Sequence, residues 1–93
     1  MFALPSRMTL VEASALVLQV REVLDREQDG PFVVRAGALE HFDSSALALL
    51  LECRRESLRR KRLLVVKDMP AKLIALAELY GVRDLLGLNP PSV

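Results

Sequence analysis

The stretch PFVVRAGALEHFDSSALALLLECRRESLRRKRLLVVK, residues 31–67, decides the fold. Phe32-Val33-Val34 is an aromatic and β-branched run held between Pro31 and Gly37, the composition of a buried strand. Asp43-Ser44-Ser45 offers three candidate N-caps, and an unbroken helical pattern follows from Ala46 to about Arg60. Arg62 to Lys67, with Leu63-Leu64-Val65-Val66 inside it, is the next strand. Strand, helix and strand in this order make a βαβ unit, whose strands run parallel because the crossover returns the chain to the same end of the sheet.

Working outward, Thr9-Leu10-Val11-Glu12 has the capping-box form and opens a helix. Leu10, Ala13, Leu16, Val17, Val20, Val23 and Leu24 recur at helical spacing and predict one buried stripe, while Glu12, Gln19, Glu22 and Arg26 fall on the wet side. Asp29-Gly30-Pro31 ends that segment. Beyond Lys67, Asp68-Met69-Pro70 leads into a last helix through Leu73, Ile74, Leu76, Ala77 and Tyr80, stopped by Gly81. Residues 1–8 hold at most one short strand, around Phe2 to Leu4, and residues 89–93 are a tail. The expectation is a single α/β domain over residues 1–93, with a small mixed sheet and its helices packed on one side.

Composition narrows the function. The chain has 93 residues, 52% of them apolar and 27% charged, which suits one small folded domain rather than a disordered segment. Thirteen Lys and Arg against twelve Asp and Glu leave a net charge of +1, so no overall field draws it to nucleic acid or to an anionic surface. The longest strictly apolar run, Ala46 to Leu51, falls far short of the roughly 20 residues of a membrane helix, and the start MFALPSRM is unlike a signal peptide. A cytoplasmic location is expected. One cysteine, Cys53, and one histidine, His41, argue against an internal disulfide and a zinc site, and no metal or cofactor is expected.

Several places invite chemistry or binding. Asp43, Ser44 and Ser45 stand at a helix start, where free N–H groups and the helix dipole favour an anion such as the phosphate of a phosphorylated Ser44; the plainer reading is a simple cap. His41, Asp43 and Ser44 are the residue types of a hydrolase triad, but neighbours in a strand-to-helix turn point in different directions and do not form one. Ala46 to Leu51 is apolar all round the helix, so part of it, including Leu47 and Leu51, is expected to meet a partner or a neighbour inside the fold. Arg54, Arg55, Arg59, Arg60, Lys61 and Arg62 read as a solvated cluster matched to the helix dipole, with Glu56 pairing with Arg60. Tyr80 either closes the core or stands at its rim as a binding anchor; its place beside Gly81 favours the rim.

The strand Phe32–Val34, the motif Phe42-Asp43-Ser44-Ser45-Ala46-Leu47, the strand Leu63–Val66 and the helix end Leu76-Ala77-Glu78-Leu79-Tyr80-Gly81 together resemble a STAS domain, and among STAS domains the MlaB type. The resemblance implies a cytoplasmic, non-catalytic subunit of a bacterial phospholipid-transport ABC system, which maintains outer-membrane lipid asymmetry. Its partner would be the MlaF-type ATPase in complex with its permease, and it would sit at the inner membrane through that complex without inserting. Docking would use Asp43, Ser44, Ser45, Leu47, Leu51 and Tyr80. A second class of STAS protein, the anti-sigma-factor antagonist, is switched by phosphorylation at the position of Ser44; those proteins carry glycine where this chain has Ala46. A second copy of the chain is a further candidate partner.

Overall fold

The computed structural model describes residues 1–27 and 29–86. In chain order the elements are β1 (Phe2–Ala3), β2 (Arg7–Met8), α1 (Leu10–Arg26), β3 (Phe32–Arg35), β4 (His41–Phe42), α2 (Ser44–Arg59), β5 (Leu64–Lys67), α3 (Ala71–Leu79) and a 3-10 turn, Asp84–Leu86. The central sheet has the order β1-β3-β5, and β2 pairs with β4 in a separate ladder. All the ladders among the described residues are parallel, so the expected mixed sheet is a parallel one. The cause is connectivity: α1 lies between β1 and β3, and α2 between β3 and β5, so each strand re-enters from the same end.

Residues 1–8 contribute two strands where one was expected. Phe2 sits opposite Val34, and Met8 opposite Phe42. Each strand is two residues long, too short for any alternation to show in sequence, and its existence depends on a partner that arrives later in the chain. The strand expected from Arg62 begins at Leu64, and the tail at residues 89–93 lies outside the described residues.

The core is one-sided. Phe2, Phe32 and Val34 are buried and Leu64 and Val66 pack against them, whereas Val33 and Val65 point to the other face, outside the core cluster. Leu16, Val20 and Leu24 of α1 and Ala46, Leu49, Leu50 and Cys53 of α2 close over the first face, which agrees with helices on one side. Leu10 departs from the expected stripe and is 77% exposed. At 3.6 residues per turn it lies about 80° from the centre of the buried arc of α1, at the edge of what the sheet can cover.

The helix ends are set by local chemistry. At the start of α1 the Thr9 N–H and hydroxyl both donate to the Glu12 carboxylate, each at 3.1 Å. Both α2 and α3 close in a Schellman arrangement. In α3, Gly81 has φ +70°, its N–H donates to the Glu78 carbonyl at 3.0 Å, and the Val82 N–H donates to the Ala77 carbonyl at 2.9 Å. In α2 the left-handed position is held by Lys61, at φ 57°, with Lys61 N–H to Leu58 and Arg62 N–H to Ser57.

The basic cluster is not uniformly solvated. Arg62 is 5% exposed; it donates to the carbonyl of Gly30 at 2.8 Å and also to that of Glu27, and its guanidinium lies 5.8 Å from the centre of the Phe32 ring. An arginine carries five N–H donors, which lets it bond several carbonyls of the turn after α1 at once. Glu56 is buried as well, and its carboxylate binds Arg60 at 2.8 Å, Arg21 at 3.3 Å and Arg59 at 3.4 Å. Arg60 also reaches Asp25, so this group clamps α1 to α2. Three guanidiniums, Arg60 foremost, hold the Glu56 carboxyl below the usual carboxylate range.

Candidate functional site

Of the three candidate caps, Asp43 is the one used: its Oδ1 accepts from the Ser45 N–H at 2.8 Å. Ser44 is therefore free of that task. It is the first residue of α2 and is exposed, whereas Ser45 is half-buried. The apolar run after them divides sharply. Ala46, Leu47, Leu49 and Leu50 are buried inside the fold, Leu51 is half-buried and Ala48 is exposed. Most of the run thus meets neighbours within the domain, and only one side of it has surface to offer.

That side is periodic. Ser44, Leu47, Ala48 and Leu51 stand three and four residues apart, on one face of α2. The end of α3 reaches the same place, because the Schellman turn at Gly81 lets Tyr80 and Val82 flank it. These six residues line an open cleft of about 320 Å³. Four of them, Ser44, Leu47, Leu51 and Tyr80, were singled out separately in the sequence, and the fold brings them together. Ala48 was missed, although its place four residues after Ser44 was a readable signal. Val82 was legible only through the turn that places it.

Tyr80 is 57% exposed and follows the last residue of α3, Leu79. Its ring is at the rim of the cleft and not in the core. With the Ser44 hydroxyl it supplies polarity to walls that are otherwise aliphatic. A surface of this kind suits a protein side chain or helix better than a small polar substrate.

A second hollow of about 610 Å³ lies on the other side of α3, lined by Thr9, Glu40, His41, Phe42, Lys72, Ala75, Leu76 and Leu79. Glu40, His41 and Lys72 are exposed on its wall. His41 belongs to β4, paired with Arg7, and no hydrogen bond joins it to Asp43 or Ser44 among the described residues. The residue types of a triad are present without its geometry. Among the described residues no group of His, Cys, Asp and Glu could hold a metal ion, and no helix is long and apolar enough to cross a membrane. Cys53 is buried in the core, and burial pushes its thiol up to about 12, which removes it as a nucleophile.

Comparison with known families gives a match over residues 1–87 to a family described as Mlab, STAS domain. No curated protein matches the chain. The match takes in β1 and β2, so the two-residue strands at the start belong to the same domain as the rest.

Proposed function

The chain belongs to the STAS family of MlaB type, whose domains are generally binding modules and not catalysts, and from that premise we propose that it is a subunit docking on the ATPase of a phospholipid-transport ABC transporter. The observation that carries this reading is the cleft between the start of α2 and Tyr80: an apolar hollow with a largely exposed tyrosine at its rim. A protein partner inserts an aliphatic side chain between Leu47, Ala48 and Leu51 and covers the Tyr80 ring, while Ser44 contributes a hydroxyl at the edge. Asp43 and Ser45 shape the helix start and reach the partner through Ser44.

The ATPase performs the hydrolysis. A small domain that prefers one conformation of the nucleotide-binding unit shifts that unit's population by its differential affinity, and so stabilises its assembly with the permease. The subunit stays on the cytoplasmic side and is held at the inner membrane through the complex, in the service of outer-membrane lipid asymmetry. Affinity purification of the chain from its native cells, with mass spectrometry, tests the reading. Recovery of the ATPase and permease, lost on Ser44→Glu, supports it; recovery of a sigma-regulatory kinase with no ATPase sinks it.

A second reading draws on the exposure of Ser44. Because Asp43 already caps α2, the Ser44 hydroxyl is free to carry a phosphate beside the unpaired N–H groups of the first turn. The protein would then be an anti-sigma-factor antagonist, released from its kinase by phosphorylation. Phosphate on Ser44 in purified protein, together with kinase capture, would replace the first reading by this one.

A further inference from the structure

The hollow between β4 and α3 has a strand edge for one wall. The chain from β1 to β2 runs alongside the chain from β3 to β4: Phe2 pairs with Val34, the Leu4 N–H donates to the Arg35 carbonyl, the His41 N–H donates to the Ser6 carbonyl, and Met8 pairs with Phe42. β5 flanks β3 on its other side and stops at Lys67, opposite Arg35. There the chain turns away through Asp68, so close to the loop after β3 that a Cβ added at Gly37 would lie 3.3 Å from the Asp68 Cβ. β4 therefore runs on past the end of β5 with no strand on that side among the described residues, and α3 stands across the gap.

That geometry selects the occupant. The His41 N–H is directed to β2, and successive peptide groups of a strand alternate sides, so the N–H and C=O of Phe42 point away from β2, where no strand takes them. Opposite them α3 presents Lys72, Ala75, Leu76 and Leu79, three and four residues apart on one helix face. Ala75 and Leu79 are exposed and Leu76 is half-buried. A strand edge facing the apolar side of a helix takes up an extended peptide by strand addition: main-chain hydrogen bonds hold it, and alternate side chains enter the groove. A partner helix cannot answer the Phe42 backbone in this way, because its own N–H and C=O groups are already bonded to each other. The rim adds charge of both signs. Lys72 and Glu40 are exposed, and neither has an ion-pair partner within the fold among the described residues.

We propose that the groove between β4 and α3 binds an extended peptide segment of another protein, added as a strand beside Phe42. The segment lays an aliphatic side chain on Ala75, Leu76 and Leu79, and sets an acidic residue against Lys72 and a basic one against Glu40. The groove lies across α3 from the α2 cleft, and its occupant is independent of the ATPase.

The probe is a phage-displayed library of random linear peptides, selected on the immobilised chain. Enriched sequences should combine an aliphatic residue with one acidic and one basic neighbour. Synthetic copies with blocked ends, titrated into the isotope-labelled chain, should shift the amide signals of residues 40–42 and 72–79 and leave those of residues 47–51 in place. Methylating the peptide's backbone nitrogens one at a time should abolish binding only where an N–H faces Phe42, a pattern that strand addition alone produces. Lys72→Glu should weaken binding several-fold, and a lysine in place of the peptide's acidic residue should restore it. Ala75→Arg should weaken it at least about tenfold by filling the groove. Both side chains are exposed, and far-UV circular dichroism checks that each variant stays folded. No enriched peptide, shifts centred on the α2 cleft, or tolerance of methylation at every nitrogen would each overturn the proposal.

Discussion

Replacing Tyr80 by alanine separates docking from folding. The side chain is 57% exposed, so somewhat less than half of it is covered by the fold. A fully buried aromatic removes about 150–250 Å² from water, so the covered part is about 80 Å²; at about 25 cal/mol/Å² its loss costs about 2 kcal/mol at most, and less once the alanine methyl is counted. In a domain of this size about 1–1.5 kcal/mol lowers the melting temperature by about 4–12 °C. A core aromatic would cost about 3–5 kcal/mol and lower it well beyond that. Binding should respond the other way: loss of a central anchor costs about 2 kcal/mol or more, roughly a thirtyfold rise in Kd for the proposed ATPase partner. Thermal melts and calorimetric titration of the same preparation read both quantities. A fall in melting temperature beyond about 15 °C, with unchanged affinity in the folded fraction, would refute the reasoning and return Tyr80 to the core.

Asp43→Ala should cost about 1 kcal/mol by urea unfolding, because its carboxylate caps α2, whereas Ser44→Ala should change stability by no more than about 0.5 kcal/mol. Glu56 titrates below its ordinary value of 4.5 because Arg60 and its fellow arginines favour the carboxylate. Its contribution is therefore complete above that value and is lost as the pH falls through the lower folded value, so Glu56→Gln should destabilise the domain at neutral pH and flatten the acid limb of a stability–pH curve. Its partners Arg21 and Arg59 are largely exposed and regain water when the carboxylate is removed, which keeps the neutral-pH loss near about 2–3 kcal/mol. Lys61 closes α2 at a φ of 57° and is exposed without an ion pair among the described residues; Lys61→Gly should raise stability by about 0.5–1 kcal/mol in urea titrations, and a loss would show that its side chain does more than fill the turn.

The sequence by itself determined the units that depend on near neighbours. The β-branched runs at Phe32–Val34 and Leu64–Val66, the group of candidate caps Asp43, Ser44 and Ser45, the stop at Gly81 and the periodicity of α1 are local patterns, and each of these stands within a few residues of where it was expected. The face Ser44, Leu47, Ala48, Leu51 was also implicit, since helical spacing alone puts these residues side by side.

Tertiary structure decided what depends on distant partners. The strands at Phe2–Ala3 and Arg7–Met8 exist only because β3 and β4 receive them, and with them the sheet became parallel throughout. The run Ala46 to Leu51 is apolar on every side, so sequence could not tell which residues the core would claim; contact with the sheet, α1 and α3 buried four of the six. Arg62 and Glu56 read as surface charges because burial of a charge is costly unless it is paired, and the pairs come from the turn after α1, from Arg21 on α1 and from neighbours along α2 that only the fold gathers around one carboxylate. The cleft itself joins residues 36 positions apart, Ser44 and Tyr80. No local propensity encodes that approach: it follows from α3 packing beside α2, and it is what turns separate candidate residues into one surface.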